Sequence, residues 1–287
     1  MTPLLSVEAL TVAYRTGRRT PPLVAVDSVD LEVPAGKTVG IVGESGSGKS
    51  SLGAAVLGLV RPASGTVRFD GRDITAVSAK QRRELAGEVQ VVFQDPYGSL
   101  NPVKTVGQTL AEPLRLVLGR SRAEAKQTVR TALERVGLPP EAAGRYPAQF
   151  SGGQRQRIAI ARALVMSPRL IVCDEPVSAL DLSVQAQVLN LLRDLQDELG
   201  VSYLFISHDL AVVRHVCHDL VVMRSGEVVE RGPTEQIYRD PRHEYTRALL
   251  DAVPRRRPRD VPTTGPAQHD AGRNNDRSDP RPTRSAS

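Results

Sequence analysis

Thr38-Val39-Gly40-Ile41-Val42-Gly43-Glu44-Ser45-Gly46-Ser47-Gly48-Lys49-Ser50-Ser51 decides how this chain folds. It opens as an apolar run with the length of a buried strand, and Gly43 to Ser50 then satisfy G-x-x-x-x-G-K-S/T in full. Strand, glycine loop and helix in that order are the context in which such a loop binds a nucleoside triphosphate. The glycines let the backbone curl until several N–H groups point inward and enclose phosphates. Lys49 then places a point charge near the β- and γ-phosphates, and the Ser50 hydroxyl can ligate Mg²⁺. A Gly-rich turn capping an ordinary helix is the competing explanation, and the rest of the chain weighs against it.

Two further segments carry chemistry. Leu170-Ile171-Val172-Cys173-Asp174-Glu175 is an apolar strand ending in two acids. An acid at the carboxyl end of a buried parallel strand is well placed to hold Mg²⁺, which assigns that task to Asp174. Glu175 then lies where it can accept a proton from a water in line with the γ-phosphate. Solvated acids at a strand end are the alternative, and the upstream glycine loop argues against it. Ser151-Gly152-Gly153-Gln154, followed by Arg155-Gln156-Arg157, opens a helix and exposes N–H groups at the positive end of its dipole, an anion site. A plain cap, with Ser151 capping and Gln154 completing the box, explains the same residues, and both can hold at once.

Outward from the loop, Pro34-Ala35-Gly36-Lys37 turns the chain into the loop's strand. Leu4 to Tyr14 and Leu23 to Val33 alternate apolar and polar residues as half-buried antiparallel strands do. Ser51 to Val60 reads as the loop's helix, ended by Arg61-Pro62. Gly65 to Phe69 with Asp70-Gly71 predicts a short hairpin, and Val89 to Phe93 a strand leading to Gln94. The Leu-, Ala-, Arg- and Glu-rich stretch from Val106 to Val136 predicts two helices split near Gly119 to Ser121, with Ser121 and Glu124 as a capping box. Gly153 to Met166 predicts another helix, Leu170 to Cys173 a strand, Val184 to Leu199 a helix closed by Gly200, and Val201 to Ile206 a strand. Asp219 to Arg224 and Glu227 to Arg231 predict a final hairpin, and His243 to Ala252 a short terminal helix.

Composition narrows the class. With 287 residues, 40% hydrophobic and 24% charged, the chain has the make-up of a soluble globular protein with a sizeable core. No apolar run approaches the ~20 residues of a membrane span, and the N-terminus lacks the order of a signal peptide. The chain is therefore expected in the cytoplasm, reaching a membrane only through a partner. Cys173 and Cys217 sit in apolar stretches and read as buried thiols rather than a disulfide or metal site. From Pro254 onward eight Arg face four Asp, so that +4 of the net +6 lies in the last stretch and only +2 in the rest. A nearly neutral body with 3% aromatic residues offers little for stacking bases, so no nucleic-acid partner is expected. The prolines and arginines after Pro254 predict disorder.

With these motifs in this order the chain resembles the ATP-binding-cassette (ABC) ATPases, from about Leu4 to Pro254. The resemblance implies an α/β fold: a P-loop NTPase (RecA-like) core with an N-terminal antiparallel β subdomain and an inserted α-helical subdomain. The cassette would span 4–254, with the helical insertion over about 95–165 and a family-type C-terminal helix over about 233–254, and 255–287 would form a disordered Arg/Pro-rich tail. Gln94, in Val-Val-Phe-Gln-Asp-Pro, matches the glutamine that senses Mg²⁺ and water, so the metal set is Ser50, Gln94 and Asp174. Glu175, His208 and Gln94 form the catalytic set, His208 in Ile-Ser-His-Asp matching the switch histidine that holds the γ-phosphate. Gly43, Glu44, Ser45, Gly46, Ser47, Gly48, Lys49, Ser50 and Ser51 enclose the phosphates, and Tyr14 stands where an aromatic stacks on adenine. In the family, Ser151, Gly152, Gly153 and Gln154 face the γ-phosphate bound to the other subunit of a head-to-tail dimer. Asp181, in Ser178-Ala179-Leu180-Asp181, belongs to the loop that crosses that interface. Phe150 replaces the usual Leu before the signature serine, and Val177 stands where Thr is frequent; neither change is expected to impair the site.

A narrower resemblance lies in Gln94-Asp95-Pro96-Tyr97-Gly98-Ser99-Leu100-Asn101-Pro102 and in His243-Glu244-Tyr245-Thr246-Arg247-Ala248-Leu249-Leu250-Asp251-Ala252-Val253-Pro254. Both are similar to ATP-binding subunits of oligopeptide and dipeptide importers, a group that includes nickel and glutathione systems. The resemblance implies a second cassette ATPase, two permeases, indirectly an extracellular solute-binding protein, and a peripheral place on the cytoplasmic face of the membrane. The cysteine-bearing C-terminal segment of one of the two ATPase types is absent, which favours the other type, and the tail after Pro254 has no recognisable match. An exporter ATPase would keep the motifs without the segments around Tyr97 and Tyr245. An ABC ATPase acting on nucleic acid or ribosomes usually carries a long coiled-coil insertion or a second cassette, and this chain has neither.

Overall fold

Alternation of apolar and polar residues near the N-terminus builds β1 (Leu5–Tyr14) and β2 (Leu23–Val33), paired antiparallel from Leu5 against Val33 to Tyr14 against Leu23. The computed structural model describes residues 2–15, 17, 20–95, 98 and 100–252; the expected tail over 255–287, Pro96 and Tyr97 lie outside them. After the turn at Pro34 to Lys37 come β3 (Thr38–Val42), the glycine loop and α1 (Lys49–Val56). The helix is shorter than the expected run to Val60, because Gly58 turns the chain at φ 62°. The strands β4 (Ser64–Phe69) and β5 (Arg72–Asp73) complete a four-stranded antiparallel sheet ordered β2-β1-β4-β5.

A second sheet carries the nucleotide loop. Its strands β6 (Val89–Val92), β7 (Leu170–Asp174), β8 (Ser202–Ser207), β9 (Asp219–Arg224) and β10 (Glu227–Pro233) join β3 in the order β10-β9-β3-β8-β7-β6. All neighbours run parallel except β10, which returns antiparallel on β9. Strands buried on both faces need apolar residues throughout, as Leu170 to Cys173 illustrates. Successive residues enter different cores. Leu170 and Val172 join Val39, Ile41, Leu204, Ile206, α1 and the antiparallel sheet in one cluster. Ile171 and Cys173 join Tyr203, Phe205 and the helices of the opposite face in the other.

Those helices are α3 (Val106–Leu116), α4 (Arg122–Arg135), α5 (Gly152–Leu164), α6 (Leu182–Leu199) and α7 (Leu210–Val216), after α2 (Ala79–Leu85) between β5 and β6. The split at Gly119 to Ser121 falls between α3 and α4, and Ser121 and Glu124 form the expected reciprocal box. Equivalent boxes open α2 (Ser78, Gln81), α3 (Thr105, Gln108) and α5 (Ser151, Gln154). Neither α2 nor α7 was expected from the sequence. Each is only seven residues long, too short for an apolar stripe to show, and its signal lies in its cap, Ser78 or Asp209. The family-type helix implied over about 233–254 comprises α8 (Thr234–Arg239) and a separate α9 (Glu244–Asp251), the latter being the short terminal helix read over His243 to Ala252. Pro241 disfavours helical backbone at Asp240, which adopts φ −140°, ψ 69°. Cys173 and Cys217 are buried free thiols, and no helix among the described residues is long and apolar enough to cross a membrane.

Candidate nucleotide site

Parallel strands end level with one another at this edge of the sheet. Val42 pairs with Ser207 and Ile206 with Asp174, so the last residues of β3, β8 and β7 deliver the glycine loop, His208 and the two acids to one place. Ligands bind at such carboxyl edges because loops and helix N-termini converge there. Val92 pairs with Cys173, which sets Gln94, exposed two residues beyond β6, on the same edge.

Close backbone approach explains two of the loop glycines. A Cβ on Gly43 would lie 2.1 Å from the Met223 carbonyl oxygen, and one on Gly48 2.2 Å from that of Ala25. Both residues also have positive φ, 154° and 100°, and Gly46 stands at 81°. The β9–β10 turn grips the loop from outside: Gly226 N–H donates to the Ser47 carbonyl at 3.1 Å, and Asp27 N–H to the Gly226 carbonyl at 2.9 Å. Lys49 lies inside, donating to the carbonyls of Gly43 and Glu44 at 2.7 Å each and to Ser47 Oγ at 3.3 Å. Burial lowers the Lys49 pKa, against the opposing pull of the Glu175, Asp174 and Glu44 charges. The α1 N-terminus has Gly48 at its cap position and no side-chain cap, so its first N–H groups are left to an anion. Glu44, Ser45 and Gly46 form the exposed tip.

The acids sit across from Lys49. Ser50 Oγ donates to Asp174 Oδ1 at 3.0 Å. Burial raises the Asp174 pKa and neighbouring Glu175 adds to it, while the Ser50 hydrogen bond and Lys49 oppose them. Hydroxyl and carboxylate oxygens are the hard donors Mg²⁺ prefers, and one carboxylate beside substrate phosphates is its usual protein complement. No cluster of three or more His, Cys, Asp or Glu side chains suited to a metal occurs among the described residues. Glu175 has left-handed backbone, φ 49°. Its N–H donates to the Ile206 carbonyl at 2.9 Å, and the Ser178 hydroxyl donates to its carbonyl at 3.1 Å. Strained backbone held by its surroundings clusters at functional positions. His208 Nδ1 lies 3.0 Å from Glu175 Oε1, with the carboxylate accepting. Tyr14, at the end of β1, donates its hydroxyl hydrogen to Ser51 Oγ at 3.2 Å and so borders the loop helix.

The Ser151–Gln154 turn closes on itself. Ser151 Oγ accepts from Gln154 N–H at 3.3 Å, and Gln154 Oε1 accepts from Ser151 N–H at 3.1 Å. Both residues of the box are solvent-accessible. A Cβ on Gly153 would fall 2.4 Å from Val184 Cγ1, so this glycine lets α5 meet α6 closely. Asp181 caps α6, its Oδ1 accepting from the N–H groups of Ser183 and Val184 and from the Ser183 hydroxyl at 3.1, 3.0 and 2.7 Å. The Val184 N–H is the main reason its pKa is lowered. Gln185 secures the intervening loop through the Val177 and Leu180 carbonyls, 3.0 Å each.

Sequence reasoning missed the outer frame of the loop: Met223, Gly226 and Tyr245, whose hydroxyl accepts from Glu44 N–H at 3.0 Å. Gly226 carried only a turn signal, and Tyr245 lies more than 200 residues from its partner, beyond the reach of any local pattern.

Known proteins resemble this chain closely. The family model described as ABC transporter matches residues 26–178, and that described as oligopeptide/dipeptide transporter, C-terminal region, matches residues 229–276. The second match runs past Pro254, correcting the expectation that nothing there resembles the family. The chain is 51% identical over 230 residues to the di/tripeptide transport ATP-binding protein DppF of Pseudomonas aeruginosa, covering 80% of this chain and 71% of that one. It is 50% identical over 233 residues to the oligopeptide transport ATP-binding protein OppF of Salmonella typhimurium, covering 81% and 70%. Among solved structures, the dimeric ATP-binding cassette MJ0796 with ADP and Pi superposes with a TM-score of 0.72 at 29% identity, over 80% of this chain and 98% of that one. The glycine loop, the paired acids, the α/β architecture and these likenesses agree: the chain belongs to the ABC transporter family, as one of its ATPase cassettes.

Proposed function

We propose that this chain is the ATP-hydrolysing subunit of an importer of oligopeptides or dipeptides. The observation that carries the catalytic part is the convergence of Lys49, Ser50, Asp174, Glu175 and His208 at the ends of three adjacent parallel strands. The solute class rests on the half-identical relatives, whose names specify di/tripeptide and oligopeptide transport.

ATP is the substrate. The loop N–H groups and the uncapped start of α1 hold its phosphates, Lys49 turns from the loop carbonyls toward the β- and γ-phosphates, and Tyr14 supports the adenine. Ser50 and Asp174 would hold Mg²⁺ together with Gln94, and the ion supplies neutralisation of charge building on the phosphates. Glu175 takes the proton of the attacking water, and His208, held by Glu175, contacts the γ-phosphate. Ser151, Gly152, Gly153, Gln154 and Asp181 serve the ATP of a second cassette, either another copy or a distinct subunit. That pairing and release drives two permease subunits, which receive solute from an extracellular binding protein. The chain then works at the cytoplasmic face of the membrane, bound there by its permeases.

Purifying the tagged chain from native membranes in mild detergent tests the assignment. Two permeases, a second cassette and a peptide-type binding protein are the expected companions. Recovery with ribosomes or nucleic acid in the soluble fraction would leave the ATPase standing and overturn the transport role.

A further inference from the structure

The segment from His243 to Asp251 has no part in the chemistry above, yet it reaches the glycine loop. Tyr245, on the first turn of α9, is only 6% exposed and accepts a hydrogen bond from Glu44 N–H at 3.0 Å. Its position is set from several directions. The Arg224 guanidinium lies 5.0 Å from its ring centroid. His243 Nδ1 caps α9 by accepting from Tyr245 N–H at 3.1 Å. The Glu230 carboxylate of β10 accepts from the N–H groups of Arg242 and His243 at 2.8 and 3.0 Å, clamping the entry to the helix. Arg247 closes the same turn through the carbonyls of Pro241 and Arg242, at 3.0 and 2.9 Å.

The Gly43–Glu44 stretch is thus held from two sides, its carbonyls by Lys49 and its Glu44 N–H by Tyr245. When Lys49 serves phosphates, those carbonyls lose their donor, and Tyr245 becomes the side-chain tie remaining on this part of the loop. We propose that Tyr245 is a positioning residue for nucleotide: α9 braces the glycine loop so that its N–H groups stay aimed at the phosphates. This proposal rests on the ATP-site assignment, and it gives the C-terminal region, outside the 26–178 match, a share in ATP affinity.

The test compares full-length wild type, Tyr245→Phe, Arg224→Met, the double variant and Lys49→Ala by calorimetric titration with MgATP and by thermal unfolding without nucleotide. Tyr245→Phe keeps the ring and removes the acceptor. Loss of one such bond should weaken MgATP binding about three- to tenfold, with at most the small fall in thermal midpoint that a single lost hydrogen bond costs. Arg224→Met should weaken it less, and the double variant should be no weaker than Tyr245→Phe, because both act through one hydroxyl. Wild-type affinity in Tyr245→Phe, or a lowered midpoint with unchanged affinity, would overturn the brace. Lys49→Ala separates the two levels. If it abolishes binding while Tyr245→Phe has none of the stated effect, only the brace falls; if Lys49→Ala binds normally, the site assignment falls with it.

Discussion

The N-termini of α1 and α5 both carry glycines and both bear the marks of anion sites, but they are finished differently. The α1 terminus has no side-chain cap and is enclosed by the rest of the chain: Lys49 inside, Gly226 and Tyr245 outside, Asp174 opposite. The α5 terminus is capped by its own Ser151 and Gln154 and remains solvent-accessible. A helix start left uncapped amid tertiary supports is a receptor complete within one chain. Under the proposed function, the open terminus would offer its hydroxyl, glycines and dipole to the ATP of a second cassette. That contrast is the one the proposed pairing of two cassettes calls for.

Lys49→Ala strikes the enclosed terminus hardest. Removing a buried charge that makes charge-assisted bonds should weaken ATP binding by about 100-fold or more, read by titration, and near-normal affinity would erase the contrast between the termini. Glu175→Gln should leave ATP affinity near normal and slow hydrolysis by about 10²- to 10⁴-fold, trapping the ATP-bound pair on a sizing column. Normal turnover in that variant would remove Glu175 as the base. Ser151→Ala separates the two ends: ATP affinity of the single chain should hold, hydrolysis by the paired form should fall about tenfold, and loss of the cap should cost about 1 kcal/mol of stability. Weaker ATP binding by the unpaired chain would show that α5 belongs to the same pocket as α1.

The smallest effect concerns the scaffold alone. Thr38 N–H donates to His218 Nδ1 at 3.1 Å, at the opposite end of β3 from the loop. Partial burial of its ring, helped by Lys37, lowers the His218 pKa below the ordinary 6.5, though the residue as a whole is exposed. The unfolded chain therefore binds the proton more readily, and this contribution to stability is complete above pH 6.5 and lost as pH falls toward the lowered folded value. His218→Gln should flatten the dependence of the thermal midpoint as pH falls below about 6.5, without touching either terminus. An unchanged slope would assign it to other groups.

Much of the fold was legible because its signals are local. Glycines at Gly43 and Gly48 announce a backbone that other residues cannot follow, continuous apolar runs announce strands covered on both sides, and Ser121 with Glu124 announces a helix start. What escaped was either too short or too far apart. Seven residues are too few to display helical periodicity, which hid α2 and α7. The contact of His208 with Glu175 bridges 33 positions, and that of Tyr245 with Glu44 bridges 201.

By itself, then, the sequence determined which residues could bind phosphate, hold a cation or take a proton, because those capacities reside in side-chain chemistry and in glycine's freedom over a few consecutive positions. Only the tertiary structure decided which of them meet. Parallel register brings the ends of β3, β7 and β8 level, the return of β9 and β10 closes over the loop, and α9 reaches Glu44. Those meetings follow from the packing of two cores on opposite faces of one sheet, a property of the whole chain and of no segment within it.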